Sequence, residues 1–243
     1  MIHAESTLRS IAVADPTAIA VFERLNLDYC CGGNRPLDAA CAERNLAVAD
    51  VIAQLEAAPV AGTARVRDLS QEPLAAVIAE IVTTHHAYVR AQLPQLLAMA
   101  AKTAAQHGPR HPELVALQQM VSALAEDLTQ HLAKEEMILF PYIEKLERSL
   151  AGGGDLPHAC FPTVASPIAA MEHEHEAAGA LLEKMRTVTD GYTMPADGCA
   201  TLLGLYAGLQ AFEQDLHLHI HRENNVLFPR ALELEKSAMV TAS

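Results

Sequence analysis

No apolar run in the chain approaches the ~18 to 20 residues that a membrane-crossing helix needs, although 51% of its residues are hydrophobic. No membrane partner is expected. The first ten residues, MIHAESTLRS, lack the basic stretch followed by an apolar one that marks a secretory signal. A cytoplasmic address is the expectation. Basic residues are scarce: 17 Lys and Arg stand against 30 Asp and Glu, a formal charge of −13, and the cations are scattered rather than gathered into a stripe. Such a chain repels phosphate backbones, so no nucleic acid partner is expected. The five cysteines are odd in number and irregularly spaced, which points to free thiols rather than a disulfide framework. No segment alternates convincingly with period two, so strands are not expected. Histidine, with 12 residues, is plentiful.

Chain breakers divide the 243 residues into an all-α arrangement. Residues 1–57 are helix-prone and interrupted by ADPT, CCGGN and Arg35-Pro36, which predicts a small helical N-terminal domain. Residues 58–70 contain small residues and few large apolar ones, and are expected to be a linker. Four long segments follow, at about 71–105, 111–149, 164–187 and 196–235. Apolar residues recur in them at steps of three and four, so each is expected to be helical. QHGPRHP, AGGGDLPHACFP and TDGYTMPADG separate them. Residues 71–236 are therefore expected to fold as a four-helix bundle, with a disordered tail at 237–243.

One pattern occurs twice. HLAKEEMILFP starts at His131 and HIHRENNVLFP starts at His219, and both read His, three residues, Glu, three residues, Leu-Phe-Pro. Residues four apart on a helix lie ~40° apart on one face. His131 and Glu135 share theirs with Leu124, Leu128 and Ile138, and His219 and Glu223 share theirs with Phe212, Leu216 and Val226. These are core-facing stripes. A buried, unpaired carboxylate costs several kcal/mol even after relaxation, and a cation removes that cost. The residue after each Glu differs, Glu136 in one copy and Asn224 in the other, which singles out the carboxylate that recurs. His217 and His221 form a separate four-residue pair outside the repeat.

The partner helices supply further nitrogen ligands. His175 aligns with Ile168, Met171, Leu182 and Met185, whereas His173 aligns with Ala169, Ala180 and Lys184, so His175 faces inward. In IVTTHHAYVRAQLP, His86 aligns with Val82, Val89 and Leu93, and His85 with Ile81, Tyr88 and Gln92. The faces favour His86, and spacing along the chain leaves both standing. Four imidazoles and two carboxylates able to bridge fit a pair of iron ions within a helical bundle. Six residues do not saturate two octahedral ions, which leaves positions for an oxo bridge, dioxygen, peroxide or nitric oxide. His3, His107, His111 and His158 lie in terminal or loop sequence and are expected to be solvated.

DYCCGGN, RAQLP, HLAKEEMILFP, MEHEHEAAG and HRENNVLFPRAL, in that order, resemble the motifs of the repair-of-iron-centres family. That family joins a small cysteine-bearing domain to a hemerythrin-like di-iron domain, and the resemblance covers nearly the whole chain. It implies iron ligands at His86, His131, Glu135, His175, His219 and Glu223, the RAQLP register selecting His86. Fewer histidines than in oxygen-carrying hemerythrins leave more open coordination. The implied function is repair of iron-sulfur clusters damaged by nitric oxide or oxidants, with iron supplied from a labile di-iron site. The implied partners are damaged or apo iron-sulfur proteins. Two other activities stay open on the sequence: binding or sensing of oxygen or nitric oxide, and reduction of nitric oxide or peroxide.

Cys30 and Cys31 are adjacent, so their Cα atoms lie ~3.8 Å apart, less than an ordinary disulfide spans. A soft metal or cluster ligand, a redox thiol and a structural turn compete as their role. A helix beginning near Pro36 is expected to favour the thiolate. Cys41, Cys160 and Cys199 have no partner at ligand spacing and are read as small buried or incidental residues. A flexible linker of ~13 residues spans roughly 20 Å. It would let the N-terminal domain reach the bundle of its own chain or of a second copy, which is compatible with a homodimer.

Overall fold

A computed structural model describes residues 2–57, 68–152 and 157–241. Among them there are eight continuous helices and no strand, apart from an isolated bridge between Thr7 and Pro36. The first four are short: α1 (Leu8–Ala14), α2 (Ala18–Leu25), α3 (Leu37–Glu43) and α4 (Val48–Ala57). Thr7 caps α1 by accepting a hydrogen bond from the Ser10 N–H at 3.1 Å. Asn26, at φ 51°, closes α2 in the left-handed region that asparagine tolerates. Leu8, Phe22, Tyr29, Leu37, Val51 and Leu55 form the core of this unit.

The bundle consists of α5 (74–107), α6 (112–152), α7 (Ala165–Val188) and α8 (200–241). Helix α5 lies beside α6 and α8, and α7 lies beside α6. Pro112 opens α6 at a position where its missing N–H costs nothing. Glu147 of α6 receives the Leu74 and Ala75 N–H groups at 2.7 and 3.0 Å, so a carboxylate satisfies the positive end of α5.

Three of these helices contain a widened π-turn, at Ile81–His86 in α5, Glu135–Leu139 in α6 and Glu223–Leu227 in α8. In the last two, the Phe140 N–H bonds to the Glu135 carbonyl and the Phe228 N–H to the Glu223 carbonyl, five residues back. The repeated Leu-Phe-Pro explains the pair. A helical proline removes one hydrogen bond and its ring strikes the carbonyl four residues back. For Pro141 and Pro229 that carbonyl belongs to Met137 and Asn225, inside the widened turn, and π-turns are the usual local adjustment. The turn in α5 has no proline at that spacing.

Each π-turn changes the helix phase. Ile138, expected to face inward with Glu135, is 44% exposed, and Leu139 and Phe140 are buried in its place. The extra residue in the turn rotates the stripe by one position. On α7, which has no π-turn, Ile168, Met171, Leu182 and Met185 are all buried as α-periodicity requires, and His173 is exposed.

Two apolar clusters fill the bundle. One is built from residues such as Leu93, Leu117, Leu182 and Leu209, the other from residues such as Ile78, Ile143, Ile168 and Phe228. Along every bundle helix the chain passes from one cluster to the other through His86, His131 with Glu135, His175, or His219 with Glu223. A polar layer therefore separates two apolar cores.

The expected linker overlaps 58–67, which lie outside the described residues. Its last part is packed: Leu69 is buried, and Arg230 donates to the Leu69 and Glu72 carbonyls. The tail expected to be disordered is helical through Thr241, because Ala238 continues a buried stripe begun by Ala231; residues 242 and 243 lie outside the described residues. No described helix is long and apolar enough to cross a membrane.

The N-terminal unit docks directly on α8. Asn225 donates to the Tyr29 carbonyl at 2.9 Å, and His217 pairs with Glu23 at 2.9 Å. His221, held by Asn225, lies 5.4 Å from the Tyr29 ring. The His217/His221 pair is thus the face on which the N-terminal domain rests. Burial, followed by the nearby Arg222 and Arg9 charges, holds the His221 imidazole down to about 4.

Candidate metal centre

The six histidine and glutamate residues singled out in the bundle converge in the polar layer and form two groups. One contains His86, His219, Glu135 and Glu223, the other His131, His175, Glu135 and Glu223, and all six residues are buried. Each group draws one histidine from the α5–α6 hairpin and one from the α7–α8 hairpin. The α5–α6 hairpin contributes His86, His131 and Glu135, and the α7–α8 hairpin contributes His175, His219 and Glu223. The individual positions are assembled across the hairpins.

Both carboxylates face both groups. Glu135 Oε2 lies 3.4 Å from His86 Nε2, and Glu135 Oε1 lies 3.4 Å from His131 Nε2. Glu223 Oε1 lies 3.0 Å from His219 Nε2, and its Oε2 lies 3.1 Å from His175 Nε2. Opposed Nε2 atoms are 3.1 Å apart in the His86/His219 pair and 3.0 Å apart in the His131/His175 pair. Neither oxygen of the fully buried Glu135 makes a hydrogen bond. A buried carboxylate left bare, facing four imidazole nitrogens, is a donor set for cations.

Electrostatics point the same way. Burial pushes Glu135 and Glu223 upward, but the surrounding histidines outweigh it and both carboxyls titrate below their ordinary range. Burial alone would lower His86 and His131. The nearby Glu135 and Glu223 carboxylates reverse that, bringing His86 up to about 10 and His131 up to about 9. For His219, burial prevails and its affinity for a proton falls. Positive charge is drawn strongly to the middle of the layer.

A second ring of residues orients the imidazoles. His86 Nδ1 bonds to Glu136 Oε1 at 2.6 Å, and Arg90 holds that same oxygen at 2.8 Å. His175 Nδ1 bonds to Asn224 Oδ1 at 2.8 Å, and His131 Nδ1 bonds to Glu174 at 2.8 Å, with Lys134 on the other oxygen. Each of these bonds fixes the tautomer that turns the Nε2 lone pair inward. Phe140 stacks on His86 with ring centroids 5.7 Å apart, and Phe228 on His175 at 6.1 Å. The residues after the repeated Glu, set aside in the sequence because they differ, are equivalent hydrogen-bond acceptors. The signal was their shared acceptor chemistry at one register position. The repeated Phe is a stacking partner as well as core.

His85, the competing first ligand, is also buried, but its Nδ1 pairs with Asp215 at 2.9 Å and its ring stacks on His219. The structure brings His86 into the layer. The π-turn explains the close choice, because it aligns His86 with the buried Ile81 rather than with Val82.

Cys30 and Cys31 stand apart from these six residues and group with Asp28. Both are free; Cys30 is buried and Cys31 is half-buried. At Cys30 the expected thiolate is not favoured. The Cys31 and Gly32 N–H groups, which could stabilise sulfur, both donate at 2.9 Å to the Asp28 carboxylate. The Cys30 thiol, hydrogen-bonded to the Cys31 sulfur and buried beside Asp28, is pushed well above its ordinary value. The loop nevertheless touches the layer, since Asn224, which holds His175, also donates to the Cys30 carbonyl at 3.3 Å. Gly33 permits this approach, because a Cβ there would meet the Tyr29 carbonyl oxygen at 2.7 Å. His3 and His158 are exposed as expected, but His107 is buried, and His111 is partly buried between Glu113 and Asp197. Loop position in the sequence did not reveal that the end of α5 and the start of α6 pack against the α7–α8 turn.

Residues 77–231 match the hemerythrin HHE cation binding domain family, and residues 4–59 match ScdA_N, a domain of unknown function (DUF542). The chain is 41% identical over 238 residues to the iron-sulfur cluster repair protein YtfE of Musicola paradisiaca (strain Ech703), covering 97% of this chain and 100% of that protein. It is 39% identical to the protein of that name from Pectobacterium atrosepticum and 38% identical to that of Yersinia pestis (strain Pestoides F), each over 235 residues, with 97% of this chain and 100% of the relative covered. Clustered His and Glu in a cation-binding helical domain suit an iron site. The chain belongs to the hemerythrin HHE cation-binding family and, along its whole length, to the group of proteins named iron-sulfur cluster repair protein YtfE.

Proposed function

We propose that His86, His131, Glu135, His175, His219 and Glu223 hold two iron ions, and that the protein restores damaged iron-sulfur clusters by giving up that iron. The observation that carries the reading is the presence of two carboxylates, Glu135 and Glu223, each with one oxygen toward each histidine pair. The names of the full-length relatives support the cluster-repair role. Each ion would take two imidazole nitrogens and two carboxylate oxygens from the chain, which leaves positions for exchangeable ligands and keeps the iron releasable.

The chain's own residues set the conditions for holding and release. Glu136, Asn224 and Glu174 keep three imidazoles turned inward. The apolar clusters on either side exclude water, which strengthens attraction between the carboxylates and a cation. A cavity of about 320 Å³, lined by Lys134, His131, Glu174, His175 and His219, opens beside one histidine pair and offers a route. Cys30 and Cys31 enter the proposal as thiols that assist transfer, because their loop is bonded to Asn224 behind His175.

Iron content per chain and the visible spectrum of iron-loaded protein test the site. Transfer is tested by mixing that protein with an iron-sulfur protein whose clusters nitric oxide has destroyed. The expected result is about two irons per chain and recovery of cluster absorbance in step with iron loss, with Cys30→Ser/Cys31→Ser slowing transfer at unchanged iron content. A Glu135→Ala or Glu223→Ala chain that still held two irons would sink the ligand assignment. Recovery no better than that given by an equal amount of free ferrous iron would sink donation.

A further inference from the structure

Besides the two groups in the polar layer, one further cluster of metal-ligating side chains stands among the described residues. Asp28, Cys30 and Cys31 each offer one donor atom, and the three atoms lie within 4.8 Å of one another. They belong to the loop between α2 and α3. The Cys30 and Cys31 sulfurs are 3.9 Å apart, and Cys30 Sγ is 3.4 Å from Asp28 Oδ1. A tetrahedral ion with metal–sulfur bonds of ~2.3 Å and metal–oxygen bonds of ~2.1 Å holds two sulfurs ~3.8 Å apart, and a sulfur and an oxygen ~3.6 Å apart. The two separations in the loop are close to those values.

We propose that Asp28, Cys30 and Cys31 bind a single thiophilic divalent cation such as zinc, at a mononuclear site separate from the polar layer. The backbone under the donors is fixed before any ion arrives. Asn225 and Asn224 donate to the Tyr29 and Cys30 carbonyls at 2.9 and 3.3 Å, and the Arg9 N–H donates to the Gly33 carbonyl at 2.7 Å. The Cys31 and Gly32 N–H groups hold the Asp28 carboxylate at 2.9 Å each, the kind of outer hydrogen bond that orients a ligating carboxylate. Two thiolates and a carboxylate more than neutralise a divalent ion, and the Arg35 guanidinium, 3.8 Å from Asp28 Oδ2, offsets the excess.

In metal-free protein the hydrogen bond to Cys31, followed by burial, keeps the proton on Cys30. A binding ion replaces the thiol protons, which pass to the buffer. Three protein donors leave a fourth tetrahedral position. A cavity of about 520 Å³ between the N-terminal unit and α7, lined by both cysteines, Arg35, Glu176 and Glu183, gives the ion an entrance and leaves room there for water or a partner's donor.

Cobalt(II) is the probe, titrated into the iron-loaded full chain, because it binds such donors more tightly than ferrous iron does. Thiolate ligation gives it a charge-transfer band that histidine and carboxylate ligands do not. The expected result is about one equivalent bound with that band and the visible bands of tetrahedral cobalt. Cys30→Ser/Cys31→Ser should lose the charge-transfer band at unchanged iron content. In the unaltered chain, one equivalent of zinc should slow iodoacetamide alkylation of Cys31 about tenfold, since the thiolate is both nucleophile and ligand. Alkylation of the exposed Cys160 should not change. No thiolate band at saturation, a band that survives the double substitution, or equal alkylation of Cys31 with and without zinc would each overturn the proposal. A double variant that failed to fold would leave the alkylation comparison intact. The band arises from sulfur alone, so it reads this site whatever the polar layer holds.

Discussion

His86 and His219 face each other in one half of the centre, and His131 and His175 in the other, at nearly the same separation. The same two carboxylates serve both halves. Their surroundings differ. In the second half both imidazoles are held from behind, by Glu174 and Asn224, and the 320 Å³ cavity runs beside them. In the first half His86 is held by Glu136 and covered by Phe140, while His219 Nδ1 has no hydrogen bond and the His85 ring stacks on the imidazole. Repeated motifs can thus set identical donors while the neighbouring helices make the two positions unequal. The first half meets the cavity through His219, and the other lies along it with both imidazoles and is tied to the cysteine loop.

The change expected to erase the comparison altogether is Glu135→Ala or Glu223→Ala. Each removes one oxygen from both halves, and iron measured by elemental analysis should fall from about two per chain to well below one. Removing a single imidazole should separate the halves: His175→Ala should leave about one iron, retained by the His86/His219 half. Loss of both ions in that variant would mean that the halves are not independent. Replacing an outer acceptor should act more gently, with Glu136→Gln or Asn224→Ala weakening metal affinity about 10- to 100-fold. A competition titration with a chelator would measure this, and Asn224→Ala should affect the half on the cavity side.

A last prediction concerns pH in protein stripped of metal. His86 and His131, whose folded values near 10 and 9 exceed the unfolded value of about 6.5, contribute stability fully below pH 6.5. That contribution is lost as pH rises through 9 to 10. His219 and His221, lowered by burial, act below pH 6.5 and in the opposite sense. Thermal melts between pH 6.5 and 10 should therefore show falling stability for stripped protein, and a smaller slope once iron is bound. Equal slopes would mean that the polar layer is not where the protons reside.

Most of the fold was legible because α-helical periodicity is a strong signal when the helix is regular. On α7 it identified His175 and placed every neighbour in its stripe. It failed after Glu135, where Ile138 was expected inside and Leu139 and Phe140 occupy the space, since a π-turn changes the number of residues per turn. The same irregularity made His85 and His86 hard to separate. Glu136 and Asn224 were passed over because a comparison by residue identity hides a shared role as acceptors. His107 and His111 were misread for another reason: only packing distant in sequence, such as His111 against Asp197, buries that end of the bundle.

The π-turns in α5, α6 and α8 have a consequence for how this molecule can change. Each admits one extra residue without an extra turn, so the stripes before and after the polar layer are offset by about 100°. These helices carry two reading frames, joined at the polar layer. A one-residue deletion within Glu135–Leu139, such as of the exposed Met137, would merge the frames: the turn would close to α geometry with Leu139, Phe140 and Ile143 still on the core, and the ring of Pro141 would then strike the carbonyl four residues before it. The centre is therefore where these helices absorb a change of length, whereas an insertion or deletion in a regular stretch such as α7 would turn every later residue by about 100°.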